Sequence, residues 1–461
     1  MPINNISGLA RDGEKMGKIQ IAKKLKSVFT LILLLGIPSF LLFPTVLSAV
    51  PDYDVNSDGS CNIMDIVRIS NHIGESGTPG WIREDVDKNG HVQVMDMIQV
   101  SNHYGETGWT TDYAKIQTLS IAYGSTMANT TNQQFIANHF DLLDGTKTYT
   151  SAATNIKVLN PNIKIICYYE SIFEDNTYSD WSYVTQFEDW FVHDKNGNRI
   201  EHTGYPGSYL MNPNSGWSDY LAQKCQLFLQ TYPQYDGIFA DDVPLDLVEA
   251  GYSFNVPFTN FEDGVLSNWG SWMLQHIQNL QTTIGNKMVM PNSWIYTQFC
   301  ENITHVHIWE GFVHGRSHDV TQTGYGEWYT LSAINTLHDQ AEQGNIISVI
   351  SGTKNANSNP TLAHQYMLFS LICFLFAVED MQKSYYAWNF FSDDASHGWY
   401  PEMDHEFGNP IGEYYNVQGS VYARQFENAT VVANISPSTT YTVVIDGSSY
   451  TIGPRIGLIL P

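Results

Sequence analysis

Basic side chains are scarce in this sequence. Its 461 residues hold 22 Lys and Arg against 47 Asp and Glu, a net charge of −25. The first 49 residues carry six bases and two acids, so the rest of the chain is more acidic still. A surface of that sign excludes nucleic acid as a partner, because neutralising phosphates takes Lys and Arg. It suits neutral or cationic substrates and bound cations. Paired cysteines are missing too. Cys61, Cys167, Cys225, Cys300 and Cys373 are widely spaced and odd in number, which excludes a disulfide framework and a cysteine-held zinc and leaves isolated buried thiols. There is no HExxH, and the His305-x-His307 pair has no evident third ligand, so a zinc site is not expected. His193, His305 and His307 read as structural histidines. Long apolar runs are few. Met367–Val378 is too short to span a bilayer and reads as a buried helix. Only Val28–Val50 approaches the ~20 residues a span needs.

That N-terminal stretch follows a basic segment and ends in Val46-Leu47-Ser48-Ala49, whose small residues suit a signal-peptidase cut. Residues 1–49 are therefore read as an export signal, with an uncleaved membrane anchor as the other reading. The remainder is expected outside the cytoplasm, secreted and in some form cell-surface attached. Sequons at Asn129, Asn302, Asn428 and Asn434 are compatible with export.

What the chain does have is first a repeat at an offset of 31 residues. Asp54, Asn56, Asp58, Ser60 and Asp65 recur as Asp85, Asp87, Asn89, His91 and Asp96, with Gly59 and Gly90 at the sixth position. Oxygen side chains at loop positions 1, 3, 5 and 12, a glycine at 6 and a carbonyl at 7 are the donor pattern of a calcium loop. Each copy runs into an apolar helical stretch ending Ser-Asn-His. Two loops in register, each with an exit helix, no entry helix and Asp at position 12, resemble a dockerin module over residues 50–107. That resemblance implies two Ca2+ ions and docking onto a cohesin-type scaffold or cell-surface partner. Positions 10 and 11, which help choose the partner in that family, are the apolar Ile63-Met64 and Val94-Met95 here, so the partner type stays open.

Residues 113–410 alternate short apolar strands with helical stretches. The strands are read at Ile116–Tyr123, Phe135–Leu142, Ile163–Tyr169, Tyr235–Asp241, Lys287–Met290, His305–Trp309, Ile346–Ser351 and Tyr385–Phe390, with helices at Trp217–Thr231, Leu266–Ile284, Tyr329–Gln343 and Leu362–Glu379. Eight strands over about 300 residues predict an α/β fold, a (β/α)8 barrel. Residues 411–461, with short strands split by Asn, Ser, Pro and Gly, predict a small antiparallel β-domain.

On such a barrel the chemistry sits at the carboxyl ends of the strands. Those ends carry Tyr169-Glu170, Asp241-Asp242, Asn292 with Trp294, Trp309-Glu310 and Trp388. Two carboxylates across a cleft, one ionised and one protonated, serve glycoside hydrolysis. Tyr169, Glu170, Asn212, Asn292, Trp294, Trp309 and Trp388 are the expected sugar contacts. Strand alternation should turn only one of Asp241 and Asp242 inward. Asp236 reads as a turn or packing residue, and Asp194 as at most a hydroxyl contact.

The run Asp236-Gly-x-x-x-Asp241 resembles the fourth-strand motif of retaining α-glycosidase barrels, whose second Asp is the nucleophile. Trp190–Gly197, Leu210–Pro213, Tyr235–Asp242, the strand ending in Glu310 and Tyr422–Asn428 are similar to an uncharacterised group of barrel glycoside hydrolases, over most of residues 113–461. The resemblance implies a hydrolase with Asp241 as nucleophile. Glu310 is assigned the acid/base role from its strand-end position, and Asp242 remains the alternative working acid. Catalysis is expected to need no cofactor, and the substrate is a poly- or oligosaccharide. The competing reading is a carbohydrate-binding or cell-surface assembly protein that keeps the barrel without catalysis.

Overall fold

The computed structural model describes residues 51–55, 60–76, 84–107, 115–292, 300–315, 317–388 and 394–461. Residues 1–50, with the export-signal reading, lie outside them. So do Asn56, Asp58 and Trp294.

Two short helices lead the described chain, α1 (Ile63–His72) and α2 (Val94–Asn102). Asp65 and Asp96, the last residues of the two loops, each accept from the backbone N–H three residues back and so cap the helix they enter. A small core of Val55, Cys61, Ile69, Val92 and Val100 holds the pair together. Ile63, Met64 and Val67 stay exposed, as do their repeat mates Val94, Met95 and Ile98.

The barrel follows. Its strands are β1 (Gln117–Ile121), β2 (Leu142–Gly145), β3 (Lys164–Glu170), β4 (Gly237–Asp241), β5 (Met288–Pro291), β6 (Val306–Glu310), β7 (Ile346–Ser351) and β8 (Ser384–Trp388). All neighbours are parallel, in the order β5-β4-β3-β2-β1-β8-β7-β6. The sheet is a nearly closed eight-stranded barrel: among the described pairings, only β5 and β6 are not hydrogen-bonded to each other.

Period two governs each strand. Leu119, Leu142, Ile166, Phe239, Met290, Ile308, Ile350 and Tyr385 fill the barrel interior. The alternate residues, such as Ile165, Cys167, Ile238, Ala240 and Val289, pack outward against helices α3 (Thr130–His139), α4 (Thr150–Leu159), α5 (Gly216–Thr231) and α6 (Val265–Ile284). In α6 the buried Trp269, Met273, His276, Ile277, Leu280 and Ile284 make one helical stripe.

One expected strand is corrected. Phe135–Leu142 is mostly helix, with β2 starting only at its last residue. Asn129 caps α3 by accepting from Thr131 N–H at 2.8 Å, and Gln133, Ile136, Ala137 and His139 are buried at helical rather than alternating spacing.

Helix α7 (Glu327–Glu342) precedes β7, and α8 (Pro360–Leu375) lies between β7 and β8. The second half of α8, Phe369–Leu375, is wholly buried, because the barrel covers one side and the C-terminal sheet the other. Among the described residues no helix is long and apolar enough to cross a membrane. The C-terminal strands form an antiparallel sheet, β9 (Tyr415–Gln418), β10 (Val421–Gln425), β11 (Thr430–Asn434) and β14 (Gly457–Leu460), and a hairpin, β12 (Tyr441–Ile445) with β13 (Ser448–Ile452). Gly457 permits the contact with α8: a Cβ there would sit 2.7 Å from Ile372 and 3.0 Å from the Leu368 carbonyl. Arg424, fully buried on β10, donates to the carbonyls of Leu375, Phe376 and Val378 and so caps α8 from the neighbouring domain. Asn434 is buried with its amide bonded to Thr439, Ile452 and Gly453 carbonyls, so that sequon is structural. The five cysteines are free and buried.

Candidate active site

The interior-facing register of the strands carries through to their carboxyl ends. Following Ile166 and Tyr168 on β3, Phe239 on β4, Met290 on β5 and Ile308 on β6, the next inward positions are Glu170, Asp241, Asn292 and Glu310. They line a cavity of about 880 Å³ with Tyr123, Tyr168, Phe173, Asp175, Tyr178, His202, Tyr205, Asp242 and Tyr252. Among the described residues, five carboxylates line it and no Lys or Arg does.

Asn292 and Tyr168 organise those acids. The Asn292 side-chain nitrogen donates to Asp241 Oδ1 at 2.8 Å and to Glu310 Oε2 at 2.7 Å. The Tyr168 hydroxyl lies 2.8 Å from Asp241 Oδ2 and 3.1 Å from Glu170 Oε2. Asn292 is itself fixed by its backbone, which donates to the Ala240 carbonyl and accepts from Val243 N–H.

Asp242 departs from the alternation. Its φ of +51° turns the chain out of β4, and its carboxylate still reaches the cavity, where Tyr252 donates to it at 2.5 Å. Both adjacent acids therefore line the site. One carboxylate oxygen from each of Glu170, Asp241 and Asp242 lies within 4.8 Å of the others. Crowding and burial have the expected consequence. Burial first, then the Asp241 charge, pushes the Asp242 carboxyl up to about 7. Burial and the charges of Asp242 and Asp241 hold Glu170 well above the usual carboxylate range. Behind Tyr123, the buried Asp144 accepts from its hydroxyl and is likewise raised, by burial and then by the Asp241 charge.

Other sequence-selected residues lie elsewhere. Trp309 and Trp388 were expected to face sugar, but they stand on the outward register of β6 and β8. Each is buried in the layer between barrel and helices, and Trp309 donates to the Tyr329 hydroxyl at 3.0 Å. Tyr169 is outward on β3 and lines an adjoining cavity of about 170 Å³ with Lys147, Glu174 and Lys224, which shares Glu170 and Tyr178 with the larger one. Asn212 accepts from Asn214 N–H and shapes the turn ahead of α5. Asp236 ties β4 to its neighbours through Ile165 N–H and Lys157. Asp194 holds a turn through the Asn196 and Asn198 amides, and His193 lies 2.9 Å from Glu188. The aromatic wall is instead made by Tyr123, Phe173, Tyr178, Tyr205 and Tyr252.

A parallel barrel with carboxylates gathered at the carboxyl ends of β3, β4 and β6 is of the glycoside hydrolase class. Residues 157–430 match the family described as "Hypothetical glycosyl hydrolase family 15", and at more than half of its length the chain belongs to that family and is a glycoside hydrolase. Comparison with curated proteins gives no significant match. Among solved structures, the chain is similar to the cyclic α-maltosyl-(1→6)-maltose hydrolase of Arthrobacter globiformis (10% identity, 76% of this chain and 99% of that one, TM-score 0.45). It is also similar to the glycoside hydrolase domain of PelA from Pseudomonas aeruginosa (11%, 60% and 96%, 0.39) and to a dextranase of Flavobacterium johnsoniae (10%, 76% and 50%, 0.45). With TM-scores below 0.5, none of these bears on substrate or linkage.

Proposed function

We propose that this chain is an exported, retaining glycoside hydrolase with Asp241 as nucleophile and Glu310 as acid/base. The observation that carries this reading is the shared donor: Asp241 and Glu310 bond one Asn292 nitrogen, so those two oxygens are no farther apart than 2.8 Å plus 2.7 Å. Retaining enzymes hold their carboxyl groups about 5–5.5 Å apart, whereas inverting ones leave about 6.5–9.5 Å for a water.

In the first step Asp241 attacks the anomeric carbon as the glycosidic C–O bond breaks, and Glu310 gives its proton to the departing oxygen. Water, deprotonated by Glu310, then displaces Asp241 and restores both residues. Tyr168 and Asn292 donate to the Asp241 carboxylate and keep it oriented as an acceptor. Glu170 and Asp242 would hold sugar hydroxyls. The raised Asp242 carboxyl supports a second assignment, with Asp242 as the acid. A wall of carboxylates with no Lys or Arg among its described residues disfavours uronic or sulfated sugars and favours neutral or amino sugars.

The paired loops support two calcium ions and a dockerin-type role. In the second loop one oxygen from each of Asp85, Asp87 and Asp96 lies within 4.8 Å of the others. Asp85 is raised by burial and by the charges of Asp96 and Asp87, a cost that a bound cation would relieve. Asp54, Asn56, Asp58, Ser60 and Asp65 would hold one ion, and Asp85, Asp87, Asn89, the His91 carbonyl and Asp96 the other; calcium there supplies folding energy and no catalysis. The twice-repeated exposed patch of Ile63, Met64 and Val67 with Val94, Met95 and Ile98 fits an apolar cohesin-type partner.

The test is a panel of neutral, amino and uronic polysaccharides incubated with wild type, Asp241→Gly, Glu310→Ala and Asp242→Asn in calcium. Azide should give a glycosyl azide of inverted configuration with Asp241→Gly and of retained configuration with Glu310→Ala. Retained-configuration azide from the Asp242 variant instead would exchange the acid roles. Loss of neither activity nor configuration in Asp241→Gly would sink the nucleophile assignment.

A further inference from the structure

The repeat carries a second recurring element, just beyond each exit helix: Asn71-His72-Ile73-Gly74-Glu75 and Asn102-His103-Tyr104-Gly105-Glu106. In both copies the glycine takes a positive φ, +97° and +92°, which folds the glutamate back over the histidine. The resulting His–Glu pairs match: 3.1 Å from His72 Nδ1 to Glu75 Oε2 and 3.1 Å from His103 Nδ1 to Glu106 Oε1.

Their surroundings differ. The second pair is at the surface, with both side chains more than a third exposed. The first is pressed against the barrel, where His139 at the end of α3 brings its Nε2 to 3.3 Å from Glu75 Oε1. The His72 and His139 side chains are essentially inaccessible and their rings are 4.1 Å apart. Phe135 and Trp399 flank His139 at 4.0 and 4.3 Å and fix its ring. One ligand atom from each of His72, Glu75 and His139 lies within 4.8 Å of the others. His72 Nε2 is buried without a hydrogen-bond partner, and the fully buried Glu84 stands 3.8 Å from it.

We propose that His72, Glu75 and His139 form a site for one divalent transition ion of the zinc class, pinning the paired-loop module to the barrel. Two imidazoles and a carboxylate make a nitrogen-rich set that suits zinc, cobalt or nickel and not calcium, which takes six to eight oxygens. Zinc bonds of about 2.0–2.2 Å set tetrahedral neighbours about 3.3 Å apart. Each imidazole already stands near that spacing from its own oxygen of Glu75, 3.1 Å from His72 Nδ1 to Oε2 and 3.3 Å from His139 Nε2 to Oε1, so the carboxylate lies between the two rings. With His72 bound through Nδ1, its proton sits on Nε2 and points to Glu84, the outer carboxylate that commonly orients a metal-bound histidine. Arg68 holds Glu84 in place at 2.5 Å. The second copy has the same pair and no barrel histidine, so it serves as an internal control.

The full chain, saturated with calcium, is incubated with zinc and freed of excess by gel filtration. Wild type and His103→Gln should retain one zinc more per chain than His139→Gln and Glu75→Gln. Zinc-edge X-ray absorption on wild type, which needs no variant to fold, should show two imidazoles in the shell. No retained zinc, equal zinc in wild type and both seam variants, or a shell with fewer than two imidazoles would overturn the proposal. The His338, Glu379 and Glu413 cluster offers only one imidazole and is told apart by the same spectrum.

Discussion

One nitrogen of Asn292 holds Asp241 and Glu310 together across the gap between β4 and β6. Its own position is set by backbone bonds to β4 and to the turn after it, so the amide is a fixed spacer. Asn292→Ala should leave the fold intact and lower kcat/KM on the order of 10²-fold, the size of effect a misplaced catalytic group has. The check is steady-state kinetics on the best substrate of the panel beside a thermal melt. Unchanged kinetics would mean the carboxylates keep their spacing without it.

Asp242 makes stability depend on pH. Its folded carboxyl is raised to about 7, against an ordinary aspartate value of 3.8. Between those values the folded state holds a proton that the unfolded chain releases, so stability falls as pH rises from about 4 to about 7. Asp242→Asn removes that penalty. Urea melts should show the variant gaining on wild type across this window and ending on the order of 4 kcal/mol more stable at pH 8. A constant difference at all pH values would contradict the burial argument.

Arg424 is the bolt between the C-terminal sheet and the barrel. Its guanidinium meets three carbonyls at the end of α8 and the Glu379 carboxylate. Arg424→Met keeps the volume and leaves those carbonyls and Glu379 without their donor. Glu379 is 32% exposed, so the loss comes chiefly from the buried carbonyls and should be about 3 kcal/mol, an unsatisfied buried acceptor costing about 1–3 kcal/mol. Calorimetry should show a lower Tm.

Much of the barrel was legible because strand and helix periods differ and because carboxylates, Gly and Pro mark the strand ends. Three errors were physical. Phe135–Leu142 is apolar enough for a strand, but Asn129, six residues upstream, caps a helix through it, and misplacing β2 hid Asp144 as a strand-end acid. Trp309 and Trp388 were misassigned by chemistry against geometry. Glu310 and Trp309 are neighbours on one strand and cannot both face inward, so placing Glu310 at the site already sent Trp309 outward. The same rule failed at Asp242, where a left-handed residue after β4 resets the register. The motif glycine, Gly237, also has a packing reason: a Cβ there would lie 2.2 Å from the Met288 carbonyl of β5. The tyrosines of the cavity wall, drawn from long connections such as residues 171–215 and 242–264, carry no periodic signal.

Asp96 performs two tasks at once, which makes it the most sensitive point of the second loop. One oxygen accepts from Gln93 N–H and caps α2; the other accepts from Asp87 N–H and closes the loop. Under the calcium proposal the same carboxylate ligates the ion. Asp96→Ala should therefore reduce bound calcium from two ions to one and lose the cap besides, worth about 1 kcal/mol alone. Chelation of wild type should loosen the module's backbone amides while those of β3 and β4 stay protected, because the barrel has its own core. Hydrogen exchange with and without chelator reads both effects. Equal exchange in the two states would show that the loops fold without an ion.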